Sequence, residues 1–187
     1  MRIITGKAKG VRLMTLEGDA TRPTAERVKE AVFSMLQFDI EGRRVLDLFA
    51  GSGQMALEAI SRGAASAVLV DKSKEAGKII AKNIEKTRFG ESCRVFGMDY
   101  AEYIRRYAGE KFDIVFLDPP YAAGLYAPAL RALLEADMLK STSMIVCESD
   151  SADMFAKDSL LADRFETVKV SKYSRTVITI LSPKKED

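Results

Sequence analysis

Residues 44–53 read Arg44-Val45-Leu46-Asp47-Leu48-Phe49-Ala50-Gly51-Ser52-Gly53. The apolar run at the start of this stretch predicts a buried strand, and its two glycines predict a turn. A helical pattern follows and ends at Gly63. Glycine permits positive φ and a close approach of the backbone to a ligand, and the start of a helix offers free N–H groups to an anion. The stretch therefore predicts a strand, a ligand-binding turn and a helix, in that order.

The glycines alone leave the class of ligand open. The spacing of Gly51, Gly53 and Ala56 satisfies the loose fingerprint of dinucleotide sites, which other adenosine cofactors share. Asp71 ends the next apolar run, at the position where an acidic side chain would hold both ribose hydroxyls. This supports an adenosine ligand whose ribose is not phosphorylated.

Asp47, at the end of the first strand, favours one adenosine ligand over the other. A carboxylate beside the turn would repel a pyrophosphate, whereas it suits the cationic groups of S-adenosylmethionine. Asp47 and the carbonyl edge formed by Phe49, Ala50 and Gly51 would then hold the ammonium group. The helix N-terminus at Gln54 would receive the carboxylate. The alternative is that Asp47 ties down its own loop, and both roles can hold at once.

A second informative stretch joins the apolar run at residues 112–117 to Asp118-Pro119-Pro120-Tyr121. Proline has no backbone N–H and cannot continue a central strand, so the last carbonyls stay unpaired beside a carboxylate and an aromatic ring. An exocyclic amino group of a nucleobase is a poor nucleophile because its lone pair is delocalised into the ring. Asp118 and the Pro119 carbonyl would accept its hydrogens, and Tyr121 would stack on the base. The alternative is a plain turn that ends the strand.

Composition narrows the possible chemistry. The chain has 187 residues, 47% of them hydrophobic, which predicts one soluble domain, and no apolar stretch is long enough to span a membrane. The chain contains no histidine, which excludes histidine triads and histidine-ligated metals. Cys93 and Cys147 lack metal-ligand spacing, and we expect both to be buried, reduced thiols of a cytoplasmic protein. We therefore expect no metal and chemistry that depends on carboxylates, carbonyls and a cofactor.

The amino terminus is basic although the net charge of the chain is only +2. The first sixteen residues contain Arg2, Lys7, Lys9 and Arg12 and no acid, in a pattern that predicts two short strands around a glycine turn. We expect residues 1–20 to form a basic hairpin extension on a catalytic core at 21–187, within one domain. These cations would contact nucleic-acid phosphates, the alternative being an ordinary solvated face.

A helix is predicted after this hairpin, with Thr24 as its N-cap and with Arg27 and Lys29 facing away from the core. The candidate RNA-binding residues are Arg2, Lys7, Lys9, Arg12, Arg22, Thr24 and Arg27.

Strand and helix patterns then alternate along the chain. Ser73 and Asp99 are predicted helix caps, a strand is predicted at 93–96, and a helix is predicted at about 126–136. A strand at 144–147, a short helix at 152–156 and a final hairpin of strands at 166–170 and 176–181 complete the prediction. This order predicts an α/β fold with a mostly parallel sheet, an antiparallel edge and helices on both faces. Ligands in such sheets bind at the carboxyl ends of the strands.

Five stretches together resemble the RsmD-type 16S ribosomal RNA guanine-N2 methyltransferases, over essentially the whole chain. They are Met1-Arg2-Ile3-Ile4-Thr5-Gly6, Thr21-Arg22-Pro23-Thr24 with Arg27-Val28-Lys29-Glu30-Ala31-Val32-Phe33, Val45-Leu46-Asp47-Leu48-Phe49-Ala50-Gly51-Ser52-Gly53, Glu58-Ala59-Ile60-Ser61-Arg62-Gly63-Ala64 and Phe116-Leu117-Asp118-Pro119-Pro120-Tyr121. Two departures concern fine geometry: residues 54–57 are bulkier than is usual in the family, and Ser174 stands where glycine is common.

The resemblance implies a class I S-adenosylmethionine-dependent methyltransferase fold with a seven-stranded sheet. It also implies methylation of a guanine N2 in 16S rRNA, within an assembled or nearly assembled small ribosomal subunit. Asp71 would hold the ribose, Asp99 the adenine amino group, and Lys72, Ser73 and Tyr100 would flank the adenine. Asp118, Pro119, Pro120 and Tyr121 are the expected catalytic residues, and Gly53 completes the expected cofactor site. The alternatives are an adenine-N6 or other amino methyltransferase, or a catalytically silent RNA-binding module of the same fold.

Overall fold

The computed structural model describes residues 1–16, 23–120, 124–151 and 158–184. Six α-helices and seven strands are assigned in this part of the chain. In chain order they are α1 (Pro23–Met35), β1 (Arg44–Asp47), α2 (Gln54–Ser61), β2 (Ser66–Val70), α3 (Lys74–Thr87), β3 (Cys93–Phe96), α4 (Tyr100–Arg106), β4 (Phe112–Leu117), α5 (Tyr126–Glu135), β5 (Leu139–Ser149), α6 (Ser159–Arg164), β6 (Phe165–Tyr173) and β7 (Thr176–Pro183), with a short 3₁₀ turn at Gly90–Ser92 before β3.

The seven strands form one sheet in the order β3-β2-β1-β4-β5-β7-β6. The first five strands along the chain pair in parallel, and β7 lies antiparallel between β5 and β6. In the centre of the sheet, Leu46 of β1 lies opposite Val68 of β2 and Val115 of β4. The predicted α/β fold, with its parallel sheet and antiparallel edge, is therefore confirmed.

The core has two layers, one on each face of this sheet. Successive residues of β4 point to opposite faces, so Ile114 and Phe116 pack with α1 and α2 while Val115 and Leu117 pack with α4 and α5. Every residue of β4 is buried, as expected for a central strand covered on both faces. The carboxyl ends of β1, β2, β3 and β4 consequently meet at one edge of the sheet.

The amino-terminal segment differs from the predicted hairpin. A single antiparallel bridge joins Arg2 and Arg12, in place of two strands. The amides of Ile4 and Thr5 instead donate to the two carboxylate oxygens of Glu58 in α2, at 2.7 and 3.0 Å. Ile3, Ala8 and Leu13 are buried in the core layer that contains α1 and α2. Residues 1–16 therefore keep three backbone hydrogen bonds between their two halves, at 2.8–3.0 Å, and also pack against α2.

The prediction that Lys29 faces away from the core was wrong. Arg27 is exposed as expected, but the Lys29 side chain is only 2% exposed. Its Nζ donates to the Arg2 carbonyl at 2.6 Å and lies 3.6 Å from a carboxylate oxygen of Glu58. Burial lowers the pKa of Lys29, and the neighbouring Glu58 opposes that shift. A charged side chain can be buried here because distant parts of the chain supply its partners.

Two predicted helix caps are confirmed, and one is not. Ser73 Oγ accepts from the Ala76 amide at 3.3 Å, and Asp99 accepts from the Ala101 amide at 2.9 Å. Helix α1 begins at Pro23, which makes Thr24 its second residue and not its cap. Proline is favoured at the first helical position because its missing N–H would have no partner there.

Other differences concern the carboxy-terminal third and the cysteines. The last described helix is α6, and the short helix predicted at 152–156 lies outside the described residues. Both cysteines are free thiols, but Cys93 is only half-buried because it starts the edge strand β3. No helix in the described part of the chain is long and apolar enough to cross a membrane.

Candidate active site

A cavity of about 670 Å³ opens at the carboxyl edge of the sheet, a size typical of small-ligand sites. It collects residues that follow four different strands. The predicted site residues that line it are Asp47, Phe49, Ala50, Gly51, Gln54, Asp71, Lys72, Asp99, Tyr100, Asp118, Pro119 and Pro120. Gly53 and Ser73 do not line it, and Tyr121 lies outside the described residues.

The glycine turn between β1 and α2 has the left-handed backbone that the sequence predicts, with φ of 52° at Gly51 and 77° at Gly53. A Cβ at Gly53 would lie 2.9 Å from Leu69 Cδ2 of β2, and the positive φ would strain any residue with a side chain at this position. Gly53 therefore lies on the side of the turn that packs against β2, whereas Gly51 lies on the cavity wall. The Gly51 amide donates to Asp71 Oδ2 at 2.8 Å, which ties the turn to the end of β2.

Asp47 is 3% exposed and lines the cavity. The amides of Ala56 and Phe49 donate hydrogen bonds to it, so it does tie down its own loop. Burial raises the pKa of Asp47 to about 7, and the nearby charge of Asp71 acts in the same direction. A cationic ligand group in the cavity would favour the ionised carboxylate and reverse this shift.

Asp71 and Asp99 both have structural partners at the cavity wall. Asp71 accepts from the Gly51 amide through Oδ2 and from the Ser73 amide through Oδ1, each at 2.8 Å. Asp99 caps α4. An ionised carboxylate has about four acceptor positions, so these bonds leave each side chain able to accept from a ligand hydroxyl or amino group.

The rings of Phe49 and Tyr100 form an aromatic wall, with centroids 5.2 Å apart and an angle of 42° between the planes. Only the backbone carbonyl of Phe49 was predicted to contribute to the site, and the contribution of its ring was missed. Such a wall, beside the carboxylates of Asp71 and Asp99, suits a flat heterocycle that carries polar groups at its edge.

Asp118, Pro119 and Pro120 directly follow β4 and line the same cavity as the glycine turn. Asp118 and Pro120 are exposed, whereas Pro119 is buried. The Leu48 amide donates to the Phe116 carbonyl at 3.3 Å, so β1 and β4 stay joined up to the site. Both acidic strand ends, Asp47 and Asp118, therefore line one cavity.

The cavity residues that were missed from the sequence include two with charged side chains, Lys29 and Glu148. Glu148 lies near the end of β5, next to β4 in the sheet, and its carbonyl accepts from the Tyr126 hydroxyl. Its signal in the sequence is an acidic residue that directly follows the apolar run of the predicted strand. Lys29 gave no comparable signal, because its burial depends on Glu58 of another helix.

The cavity residues fit S-adenosylmethionine. Gln54 Oε1 is buried at the cavity wall without a hydrogen-bond partner among the described residues. This oxygen can therefore accept a hydrogen bond from a ligand donor such as an ammonium group. Asp47 lies at the same end, while Asp71 and the aromatic wall suit an adenosine. No group of acidic and cysteine side chains in the described ranges could hold a metal ion.

The chain is similar to proteins with names that refer to methylation. The relative "Putative rRNA methyltransferase YlbH" of Bacillus subtilis is 36% identical over 80% of this chain and 83% of its own. Ribosomal RNA small subunit methyltransferase D of Escherichia coli is 33% identical over 80% of this chain and 75% of its own.

Solved structures show the same fold. The "Putative methyltransferase yhhF" of Escherichia coli superimposes with a TM-score of 0.85 and 27% identity, covering 100% of this chain and 99% of that chain. A protein solved in complex with SAH, at 18% identity and a TM-score of 0.65, shares the fold over 82% of this chain and 49% of its own. The sheet is thus that of the S-adenosylmethionine-dependent methyltransferases, as the resemblance implied.

The family model described as conserved hypothetical protein 95 matches residues 1–182. This match covers nearly the whole sequence. The two relatives named above are also more than 30% identical over most of both chains. The chain therefore belongs to the conserved hypothetical protein 95 family, which is the RsmD family.

Proposed function

We propose that this protein transfers a methyl group from S-adenosylmethionine to the exocyclic N2 of a guanine in 16S rRNA. The observation that carries the proposal is that Asp118-Pro119-Pro120 enters the same cavity as Asp47, the glycine turn and Asp71. The names of the relatives support rRNA as the substrate class. The choice of guanine N2 rests on the family resemblance and on the acceptors at Asp118 and Pro119.

The chain would bind the cofactor through groups at both ends of the cavity. Asp47 and Gln54 Oε1 would accept from the ammonium group, and the N-terminus of α2 would receive the carboxylate. Asp71 would hold the ribose hydroxyls, and Asp99 the adenine amino group, beside the Phe49 and Tyr100 rings. The cofactor supplies a methyl group that is already activated by the adjacent sulfonium.

The chain would then have to position the acceptor. Asp118 and the Pro119 carbonyl accept hydrogens of the guanine amino group, which favours the pyramidal, nucleophilic form of the nitrogen. The proton that N2 must lose on methylation would pass to Asp118 or to water. Orientation supplies most of the rate enhancement, because the reacting atoms need only be held close and in line. The guanine must leave its stack at a cost of a few kcal/mol, and Tyr121 is expected to stack on it in compensation.

The amino-terminal cations would contact RNA phosphates near the cavity, and the substrate would be an assembled or nearly assembled small subunit in the cytoplasm. Lys7, Lys9 and Arg12 are exposed. Arg2 is also exposed, but its Nε donates to Glu26 at 2.7 Å, so it does not stand apart from acids as its segment suggested. Arg22 lies outside the described residues, and the Thr24 side chain is not described.

The test is to incubate the protein with labelled S-adenosylmethionine and one of three substrates: small subunits from cells that lack the protein, naked 16S rRNA, or DNA. Nucleoside analysis should detect N2-methylguanosine, with the assembled subunit as the preferred substrate. N6-methyladenosine in RNA or DNA would instead support the adenine methyltransferase. No transfer to any of the three, with intact RNA binding, would identify a silent binding module.

A further inference from the structure

The positive charge of this chain is concentrated in two segments. Residues 1–16 contain four basic and no acidic side chains, and residues 72–88 contain six basic and two acidic ones. Because the whole chain has 29 basic and 27 acidic residues, everything outside these segments has a net charge of −6. A net charge of +2 therefore conceals a strongly uneven distribution.

The second segment carries a row of lysines along α3. Lys74, Lys78, Lys82 and Lys86 follow one another at intervals of four residues, so each lies about one turn beyond the last. All four are exposed, and none forms an ion pair with a described residue. Glu75 and Glu85 lie on the exposed side of the same helix, which leaves the row with a net charge of +2.

The two basic segments meet in space through Asn83 of α3. The buried Asn83 side chain accepts from the Met14 amide at 2.8 Å and donates to the Met14 carbonyl at 2.9 Å. The same Nδ2 donates to the carbonyl of Ser52 in the glycine turn, also at 2.9 Å. Asn83 therefore fixes the end of the amino-terminal segment to α3 and both of them to the cofactor turn.

Both segments also contribute to the cavity lining, through Met1, beside Arg2, and through Lys72, which precedes α3. The two basic segments, joined at Asn83, therefore both adjoin the proposed methylation site. A positively charged surface attracts and retains polyanions.

Resting on the proposed function, we infer that the lysine row of α3 is a second RNA-binding surface, which holds rRNA phosphates away from the target nucleotide. Lysine ammonium groups bind phosphates as point charges and read no sequence. The row would therefore strengthen binding of a large RNA without selecting the base that is methylated.

The experiment compares two double variants of the full chain with the parental protein. In Lys78→Gln/Lys82→Gln, two charges of the row are removed. The matched control is Lys169→Gln/Lys172→Gln, which removes two exposed lysines, without ion pairs to described residues, from β6 at the opposite edge of the sheet. Binding to small subunits from cells that lack the protein is measured over a range of salt concentrations, together with methylation kinetics and cofactor affinity.

For the α3 variant, the slope of log affinity against log salt should become shallower by about 1.4 if the phosphates are single-stranded and about 1.8 if they are in a duplex. Binding should weaken by roughly tenfold near physiological salt, with KM raised and with kcat and cofactor affinity unchanged. The control should match the parental slope.

A parental slope for the α3 variant, or an equal loss in both variants, would overturn this inference while leaving the proposed function in place. A parental protein that neither binds nor methylates the subunit would overturn the proposed function and this inference with it.

Discussion

The parallel strands begin at one side of the sheet, here called the amino edge, and end at the carboxyl edge. Buried aspartates at these two edges have different surroundings. At the amino edge, Asp113 near the start of β4 accepts from the Arg44 amide at 2.9 Å and from Lys140 Nζ at 2.6 Å, with Arg43 at 3.6 Å. Burial alone would raise the pKa of Asp113, but the hydrogen bonds and charges of these partners lower it below its ordinary value. At the carboxyl edge, burial raises the pKa of Asp47 to about 7, with only backbone amides to oppose it.

This difference indicates that the amino edge contributes to stability and the carboxyl edge to ligand binding. The amino edge supplies its own counterions, so its carboxylates are stabilised in the folded protein without a ligand. The carboxyl edge collects Asp47, Asp71, Asp99 and Asp118 around one cavity, which suits a ligand that brings positive charge and N–H groups. Substitutions at the two edges should therefore affect different measurable quantities.

The largest effect is expected for Asp118→Ala, which removes the proposed acceptor for the guanine amine. Its kcat should fall by roughly a hundredfold or more, because the amine loses the group that favours its reactive form. Folding and cofactor affinity should persist, since Asp118 is exposed and the glycine turn is unaltered. Single-turnover methylation of small subunits, with calorimetry of cofactor binding, measures both quantities.

Asp113→Ala is the control from the other edge, and it should retain kcat while losing stability. If Asp118→Ala turned over at the parental rate, the proposed role for this carboxylate would be wrong. If the two variants lost activity equally, the functional contrast between the edges would fail.

The sequence predicted this fold well because its signals are local. Apolar runs alternate with helical patterns, and parallel strands bring the residues that follow them to one edge, which is how Asp47, Asp71 and Asp118 were expected together. The predictions for the amino-terminal segment and for Lys29 failed because those regions depend on contacts between residues far apart in the sequence. Glu58 of α2 bonds the amides of Ile4 and Thr5, and it also makes Lys29 a buried residue.

Within the site, four carboxylates were predicted from the sequence, whereas the role of the Phe49 ring and the presence of Glu148 were not. The Phe49 ring meets Tyr100 only because β1 and the strand that precedes α4 end at the same edge. Glu148 reaches the cavity because β5 pairs with β4, a neighbour relation that no single segment specifies. Motif residues are thus accessible from sequence, whereas shape-forming residues require the tertiary structure.

An intermediate effect is expected for Asp47→Asn, which tests the carboxyl edge as a site for a cationic group. Losing a charge-assisted interaction should weaken cofactor binding by about 1.5–3 kcal/mol, or roughly tenfold to a hundredfold. Between pH 5 and 7 the parental affinity should rise as Asp47 ionises, and that of the variant should stay flat. Calorimetry at several pH values measures this, and a parental affinity without pH dependence would contradict the proposed contact.

As pH rises, the stability of the cofactor-free protein should fall, whereas the cofactor affinity should rise. Because the folded pKa of Asp47 is raised, its contribution is fully present below the unfolded pKa of about 4 and is lost as pH rises through about 7. Asp47→Asn should therefore be most stable relative to the parent above pH 7. Thermal unfolding at pH 5 and pH 8 without cofactor provides this comparison.

The smallest effect is expected for Asp113→Asn, which tests whether the amino edge is purely structural. This variant keeps an acceptor for the Arg44 amide but loses the charge that faces Lys140 and Arg43, so the free energy of unfolding at pH 7 should fall by about 1–3 kcal/mol. Because the folded pKa of Asp113 is lowered, its contribution is present above the unfolded pKa of about 4 and is lost as pH falls through the folded value. Denaturant unfolding should therefore show the gap between variant and parent narrowing below about pH 4, in contrast to the alkaline divergence expected for Asp47→Asn. A gap that stayed constant down to pH 2 would mean that packing, and not charge pairing, holds this edge together.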